Sequence, residues 1–201
     1  VGIVPTPAVA YLVASTGADL GVMISASHNP MPDNGIKLFQ RGGEKLADEV
    51  EALVEARIGE PWQRPTGAAV GRVINDDQLV NYYIEHLLST IGVSLKGLKV
   101  VVDCANGASS FTAPIALSRA GAEVIAIANT PDGWNINDGV GSTHLDFLRN
   151  AVLKNGADVG IAHDGDADRC LAIDATGAEI DGDVIMAILA KGFKAQGKLT
   201  A

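Results

Sequence analysis

Short apolar runs alternate with helical periodicity along most of this sequence. Apolar runs flanked by polar or glycine-rich stretches predict strands at 20–24, 36–39, 99–103, 123–128, 158–163 and 170–174. Apolar positions at helical spacing, together with start and stop signals, predict helices over 6–15, 46–58, 76–90 and 183–195, one after 106–107 and one ending near Asn155. The order of these elements predicts an α/β protein.

The stretch from 99 to 128 is predicted as a strand, a helix and a second strand. Such a unit places its two strands side by side and parallel in one sheet. We therefore expect mixed, mostly parallel sheets flanked by helices. Two prolines and two glycines between 61 and 71 indicate a linker. In open parallel sheets, ligands bind beyond the carboxyl ends of the strands, so the loops that follow the strands are the places to look for a site.

The composition is that of a folded, acidic protein. Apolar residues make up 47% of the 201 positions, and 24 acidic residues outweigh 15 basic ones. The formal charge of −9 offers no positive field to a phosphate backbone, which argues against nucleic acid and anionic membranes as partners. Every apolar run is interrupted well before the ~20 residues that a bilayer span needs. We expect a soluble, cytoplasmic protein in which Cys104 and Cys170 are reduced, buried thiols.

Three carboxylates at alternate positions follow the predicted strand 158–163. If this segment is extended, Asp164, Asp166 and Asp168 point to one side. A hard divalent cation with oxygen ligands most simply relieves their mutual repulsion, and three protein oxygens leave an octahedral Mg²⁺ with positions for water or a phosphate. Arg169 can supply a forked donor to the same phosphate. The segment 164–169, here called the acidic loop, is therefore a candidate magnesium site.

Two other interpretations of the acidic loop are a solvated acidic turn and a calcium-binding EF-hand. The solvated turn stays open, although the preceding strand and the following Arg169 weaken it. The three aspartates occupy the first, third and fifth positions of an EF-hand, which also requires Gly at the sixth and Glu at the twelfth. This chain has Arg169 and Ala175 at those two positions, which excludes the EF-hand.

A second polar loop, 25–30, follows the predicted strand 20–24 and is here called the serine loop. It places Ser27 beside His28, and Lys37 follows the turn at Asn34 and Gly35. A hydroxyl becomes an effective nucleophile when a base or an electropositive site assists it, and His28 or Lys37 could also move protons to and from a substrate hydroxyl. Taken alone, the Ser-His pair favours the alternative that Ser27 caps a helix and His28 is an ordinary loop residue.

Together and in this order, the two loops resemble the signatures of the α-D-phosphohexomutase superfamily. The phosphoserine loop of that superfamily has the pattern (T/S)-A-S-H-N-P, complete here at 25–30, and its metal loop has D-G-D-x-D-R, complete at 164–169. Further stretches are similar to the bacterial members that act on glucosamine phosphate, namely 2–7, 21–24, 33–37, 103–108, 136–138, 141–144 and 181–183. The resemblance covers essentially the whole chain, and jointly these motifs are highly specific.

The resemblance implies a site built from both loops. Ser27 would be phosphorylated in the active enzyme, and its phosphate oxygen would hold Mg²⁺ together with the three carboxylates of the acidic loop. Arg169 would contact the phosphoserine, and His28 and Lys37 would be the candidate acid and base groups. The implied reaction interconverts glucosamine 6-phosphate and glucosamine 1-phosphate through a 1,6-bisphosphate intermediate, for UDP-N-acetylglucosamine synthesis. Phosphoryl transfer depends on positioning and charge neutralisation, which a metal and an arginine can supply.

Members of this superfamily have four domains. The resemblance predicts that residues 1–71 are the C-terminal part of the first domain, 72–176 the second domain and 177–201 the start of the third. The sugar-recognition loop of the third domain, the phosphate-binding loop of the fourth and an arginine of the early first domain are not found in the sequence. We therefore expect a chain that is not a competent mutase by itself. Sugar preference, oligomeric state and the phosphorylation state of Ser27 stay open.

Three rival functions also stay open. A phosphomannomutase or phosphoglucomutase of the same superfamily would use the same two loops. A haloacid-dehalogenase-type phosphatase also has a strand that ends in D-x-D, with Asp164 as nucleophile and Asp166 as acid, although such enzymes usually have Thr or Val where this chain has Asp168. A non-enzymatic module would bind a metal or a sugar phosphate without forming a covalent phosphate.

Overall fold

The first part of the chain packs a helix against an antiparallel pair of strands. The computed structural model describes residues 1–199. Helix α1 (Thr6–Thr16) is followed by β1 (Leu20–Ile24) and β2 (Ile36–Gln40). A proline in the first turn favours the start of α1, and Gly17, at φ 71°, ends it. The serine loop lies between β1 and β2, at the carboxyl end of β1.

Residues 99–180 form a five-stranded mixed sheet. Its strands are β3 (Lys99–Asp103), β4 (Glu123–Ile127), β5 (Val159–His163), β6 (Cys170–Asp174) and β7 (Glu179–Ile180), and their order across the sheet is β4-β3-β5-β6-β7. Strand β3 is parallel to β4 and β5, whereas the pairs β5–β6 and β6–β7 are antiparallel. The α/β class and the mixed sheet are confirmed. Among the strand pairs of residues 1–199, two are parallel and three are antiparallel, so the sheets are less parallel than expected. Parallel pairing is confined to strands joined through helices, because the short connections after β5 and β6 permit only antiparallel neighbours.

Further helices flank these strands: α2 (Asp48–Ala56), α3 (Gln78–Thr90), α4 (Thr112–Arg119), α5 (Leu145–Asn155) and α6 (Gly182–Ala195). Gly156, at φ 56°, ends α5, and the Asp181 side chain caps the first turn of α6. Within residues 1–199, no helix combines the length and the apolar character that a membrane crossing needs.

Buried clusters of apolar side chains fix the relative positions of these elements. One cluster joins α1, β2 and α3 through Val9, Phe39 and Ile84. Another lies between α5 and the five-stranded sheet and includes Leu148 and Val152. Ile115 and Ala116 of α4, a helix that packs on β4, also contact the first cluster, which connects the region around α1 to the five-stranded sheet.

The predicted strands are all present, with ends that differ by one residue at most. The apolar face predicted for the helix 46–58 is exposed along α2, and the two-residue strand β7 was too short to leave a pattern.

Cys104 and Cys170 are free, and Cys104 is buried. The prediction that Cys170 is buried is wrong: it is exposed, because β7 pairs only with Ala172 and Ile173 and leaves the start of β6 uncovered.

Candidate functional site

The serine loop and the acidic loop meet in space. The Oγ of Ser27 donates a hydrogen bond of 2.8 Å to Oδ2 of Asp164, although the two residues are 137 positions apart. Lys37, on β2, donates to Oδ2 of Asp166 at 2.5 Å and to Oδ2 of Asp168 at 3.0 Å. The structure thus brings together five of the residues singled out in the sequence.

The acidic loop is a turn rather than the extended segment expected from its alternating pattern. Ala167 adopts a left-handed backbone, at φ 55°, and its N–H donates to the carbonyl of Asp164 at 3.0 Å. The N–H of Arg169 donates to Oδ1 of Asp164 at 3.2 Å. The carboxylates converge because of this turn, and one oxygen from each of the three aspartates lies within 4.8 Å of the others.

Burial and ion pairing act against each other in this cluster. Asp164 and Asp166 are buried. Burial raises the pKa of Asp164, and the hydrogen bond from Ser27, which acts to lower this pKa, does not offset the effect of burial. Burial also acts to raise the pKa of Asp166, but hydrogen bonds from Lys37 and Thr6 outweigh it and hold the pKa below its ordinary value. Burial acts to lower the pKa of Lys37, yet its two carboxylate partners leave it raised, which favours the ammonium form.

The cluster fits a hard cation. The Lys37 ammonium contacts two of the three carboxylates and the Arg169 guanidinium lies near one of them, so two positive charges only partly compensate three negative ones. Oδ1 of Asp166 is buried and has no hydrogen-bond partner. A buried carboxylate oxygen without a partner is costly in a folded protein, and a cation at this position would satisfy it. A set of ligands made of carboxylate oxygens suits Mg²⁺ better than the softer transition metals.

His28 and Arg169 lie at the margin of the cluster. His28 is exposed, and no hydrogen bond of its ring is found within residues 1–199. The Arg169 side chain is 59% exposed, with its Nε 3.8 Å from Oδ1 of Asp168. Both side chains are therefore accessible to a ligand that approaches from solvent.

A cavity of about 680 Å³ lies beside the serine loop. Its lining includes Ser27, Asn34, Asn106, Gly107 and Asp132. Asn106 and Gly107 follow β3, at the sheet edge where the acidic loop follows β5. A cavity of this size is in the range of small-molecule sites. The cavity gives a ligand access to the serine loop.

Two residues at the site had no role assigned from the sequence, although both lie in stretches that resemble the superfamily, 2–7 and 136–138. Thr6, the first residue of α1, donates from Oγ1 to Oδ2 of Asp166 at 2.5 Å. Asn137 donates from Nδ2 to the carbonyls of Ser27 and Asn29, both at 2.9 Å. Neither contact leaves a local signal, because the partners are more than 100 positions away in the chain. Taken by itself, the Thr-Pro pair at the start of α1 indicates where a helix begins and not a contact with the acidic loop.

Two family models match most of the chain. The model described as phosphoglucomutase/phosphomannomutase, alpha/beta/alpha domain I, matches residues 1–64, and the corresponding domain II model matches residues 81–177. The phosphoglucosamine mutase of Streptomyces griseus is 59% identical over 204 residues, which cover 99% of this chain and 45% of that protein. The chain thus spans less than half the length of this curated relative.

Solved structures show the same fold. A putative phosphomannomutase from Thermus thermophilus superposes with a TM-score of 0.80 at 23% identity, over 96% of this chain and 45% of that chain. The Aspergillus fumigatus N-acetylphosphoglucosamine mutase in complex with GlcNAc-6P and magnesium gives a TM-score of 0.60 at 20% identity, over 96% of this chain and 53% of that chain. At these identities the likeness is one of fold.

Proposed function

The chain belongs to the phosphoglucomutase/phosphomannomutase family, and from this premise we propose that it carries the phosphoryl-transfer centre of a phosphoglucosamine mutase. The substrates would be glucosamine 6-phosphate and glucosamine 1-phosphate, with a 1,6-bisphosphate intermediate, and the product would serve UDP-N-acetylglucosamine synthesis. The Streptomyces griseus relative supports this sugar over mannose or glucose phosphates. The observation that carries the proposal is the 2.8 Å hydrogen bond between the Ser27 hydroxyl and Asp164.

Transfer would begin from a phosphorylated Ser27. The bond between phosphorus and the Ser27 oxygen breaks, and a bond from phosphorus to a sugar hydroxyl oxygen forms. The hydroxyl proton passes to a base, and an acid donates a proton to the released Ser27 oxygen. Lys37 is suited to hold a proton next to the acidic loop, since its ammonium contacts Asp166 and Asp168. His28, exposed in the serine loop, is the second acid–base candidate. The accessible guanidinium of Arg169 would bind a phosphate.

The three carboxylates of the acidic loop, with a phosphate oxygen on Ser27, would hold Mg²⁺. When bound, the ion neutralises negative charge on the transferring phosphoryl group. Support comes from the convergence of the carboxylate oxygens and from the unpartnered Oδ1 of Asp166. The fungal mutase described above, of the same fold, is in complex with magnesium.

The division into 1–71, 72–176 and 177–201 is proposed as well. The ranges that the two family models match, 1–64 and 81–177, support the first two of these domains. Because the chain spans 45% of the Streptomyces griseus relative, we assign turnover to the full-length protein and the phosphoryl-transfer and metal loops to this chain.

Covalent trapping tests the proposal. After incubation with glucose 1,6-bisphosphate and Mg²⁺, the intact mass should increase by one phosphoryl group that withstands hydroxylamine. Ser27→Ala should remove this increase, whereas Ser15→Ala, a control on α1, should not. A phosphate that hydroxylamine releases from Asp164 would indicate the phosphatase instead. Ligand binding without any gain in mass would indicate a non-enzymatic binding module.

A further inference from the structure

Asn137 ties the serine loop to the loops of the five-stranded sheet. Its side-chain amide donates two hydrogen bonds of 2.9 Å, to the main-chain carbonyls of Ser27 and Asn29. Asn137 is only 7% exposed, so water competes little for these bonds. Within residues 1–199, no other hydrogen bond joins the main chain of the serine loop to the five-stranded sheet or to its loops.

Both Asn137 and Ser27 have a left-handed backbone, at φ 58° and 57°. Among non-glycine residues, asparagine adopts this conformation most readily and serine less so. The N–H of Asn137 donates to the carbonyl of Ala105 at 2.9 Å, which fixes the base of its side chain. By contrast, the serine loop makes its other main-chain hydrogen bonds within the connection between β1 and β2, such as Ser25 N–H to the carbonyl of Gly35. The unusual backbone at Ser27 is therefore held from outside by Asn137.

The packing around the Ser27 carbonyl leaves little room for adjustment. A side chain at Gly165 would place its Cβ 2.5 Å from the Ser27 carbonyl oxygen and 2.7 Å from Nδ2 of Asn137. The carbonyl, the amide and Gly165 are thus in direct contact. Because Gly165 directly follows Asp164, a shift of the Ser27 main chain also changes the position of its Oγ relative to the Asp164 carboxylate.

We infer that Asn137 is a positioning residue for phosphoryl transfer at Ser27, an inference that rests on the proposed function. The amide of Asn137 acts on the main chain that carries the reacting oxygen, and it contacts none of the three carboxylates by a hydrogen bond. A displacement of about 1 Å can slow an enzymatic step about 100-fold. Loss of the amide should therefore slow transfer to Ser27 by about ten- to 100-fold. It should leave the Mg²⁺ affinity of the unphosphorylated protein unchanged, because the three carboxylates are the protein ligands there.

Two variants separate the amide from the backbone conformation. Asn137→Asp keeps the size and tolerates the left-handed conformation, but it places an acceptor against two carbonyls. Asn137→Gly also tolerates the conformation and leaves both carbonyls without their donor. Asn155→Asp is the matched control, because the Asn155 amide also donates to a main-chain carbonyl, that of Ala151 at 2.8 Å, at the exposed end of α5.

The experiment measures the rate of phosphate incorporation from glucose 1,6-bisphosphate by intact mass, alongside calorimetric titration with Mg²⁺. Both Asn137 variants should be slower by about tenfold or more. Asn137→Gly, which adds no charge beside the acidic loop, should keep the Mg²⁺ affinity of the wild-type protein. Wild-type rates, a parallel loss of Mg²⁺ affinity, or failure of both variants to fold while Asn155→Asp folds would overturn the inference. If the wild-type protein takes up no phosphate, the proposed function fails, and this inference fails with it.

Discussion

Lys37 is the internal counter-cation of the acidic loop. Its ammonium contacts Asp166 and Asp168, two of the three carboxylates that would hold Mg²⁺. A divalent cation entering the cluster has to compete with this ammonium for the same oxygens, and the two positive charges repel each other. The residue that compensates the acidic loop is thus also the one that opposes metal binding.

Lys37→Met should therefore bind Mg²⁺ more tightly, because it keeps the side-chain length and removes the charge. We expect Mg²⁺ affinity to increase about tenfold. Such an increase needs about 1.4 kcal/mol, which is within the repulsion between neighbouring charges at an effective dielectric constant near 20. In EDTA, the same variant should lose about 1–3 kcal/mol of unfolding free energy, because Asp166 loses its charged partner. Calorimetry with Mg²⁺ and urea unfolding measure the two quantities.

Lys45→Met is the matched control for this prediction. Lys45 forms ion pairs with Asp48 and Glu51, at 3.7 and 3.3 Å, and neither partner belongs to the acidic loop. Its removal should leave Mg²⁺ affinity unaltered. Equal or weaker Mg²⁺ binding by Lys37→Met would contradict the role of Lys37 as a competing cation.

At the scale of elements, helix α5 supports the strand that carries the acidic loop. Leu148, on α5, is fully buried, and a side chain at Gly160 of β5 would come within 2.8 Å of its Cδ1. The close approach of α5 to β5 therefore depends on a glycine on the strand and a large apolar residue on the helix. Since the acidic loop directly follows β5, this packing fixes the base of the candidate site.

Leu148→Ala should cost about 2–5 kcal/mol of unfolding free energy, because it removes buried methyl groups and leaves a cavity in a closely packed region. Leu153, on the same helix, is 51% exposed, and Leu153→Ala should change stability by less than about 1 kcal/mol. Urea unfolding of both variants measures the difference. Similar losses for the two would mean that α5 does not depend on its buried face for stability.

The sequence predicted elements well where each one has its own pattern. The six apolar runs became strands, since a short, mostly apolar run between polar or glycine-rich stretches is itself the signal of a strand. Two features lacked such a signal: β7 has two residues, and the turn in the acidic loop depends on the left-handed backbone of Ala167. The three aspartates converge as expected, but through a turn rather than through extended alternation.

At the scale of the whole molecule, the sequence does not show which distant segments contact each other. The residue types of both loops indicated phosphoryl and metal chemistry, yet nothing local pairs Thr6 with Asp166 or Asn137 with Ser27. These contacts depend on how α1, the serine loop and the five-stranded sheet pack together. At the edge of the sheet, hydroxyl, ammonium and amide groups of one segment then donate hydrogen bonds to oxygen atoms of another segment.

Thr6 provides a test of this packing. Its Oγ1 donates to the fully buried carboxylate of Asp166 at 2.5 Å, and its N–H donates to the carbonyl of the same residue at 2.9 Å. Thr6→Val keeps the shape and the main-chain bond but removes the hydroxyl. The unfolding free energy should fall by about 1.5–3 kcal/mol, the range for a hydrogen bond to a charged group.

Thr16→Val is the control at the other end of α1, where the hydroxyl donates to the carbonyl of Leu12 within the helix itself. It should cost less than about 1 kcal/mol, because the lost bond is local and partly exposed. A double-mutant cycle between Thr6→Val and Asp166→Asn isolates the coupling between helix and acidic loop. If the two threonine variants are equally stable and the cycle gives no coupling, then α1 does not contribute to holding the acidic loop in place.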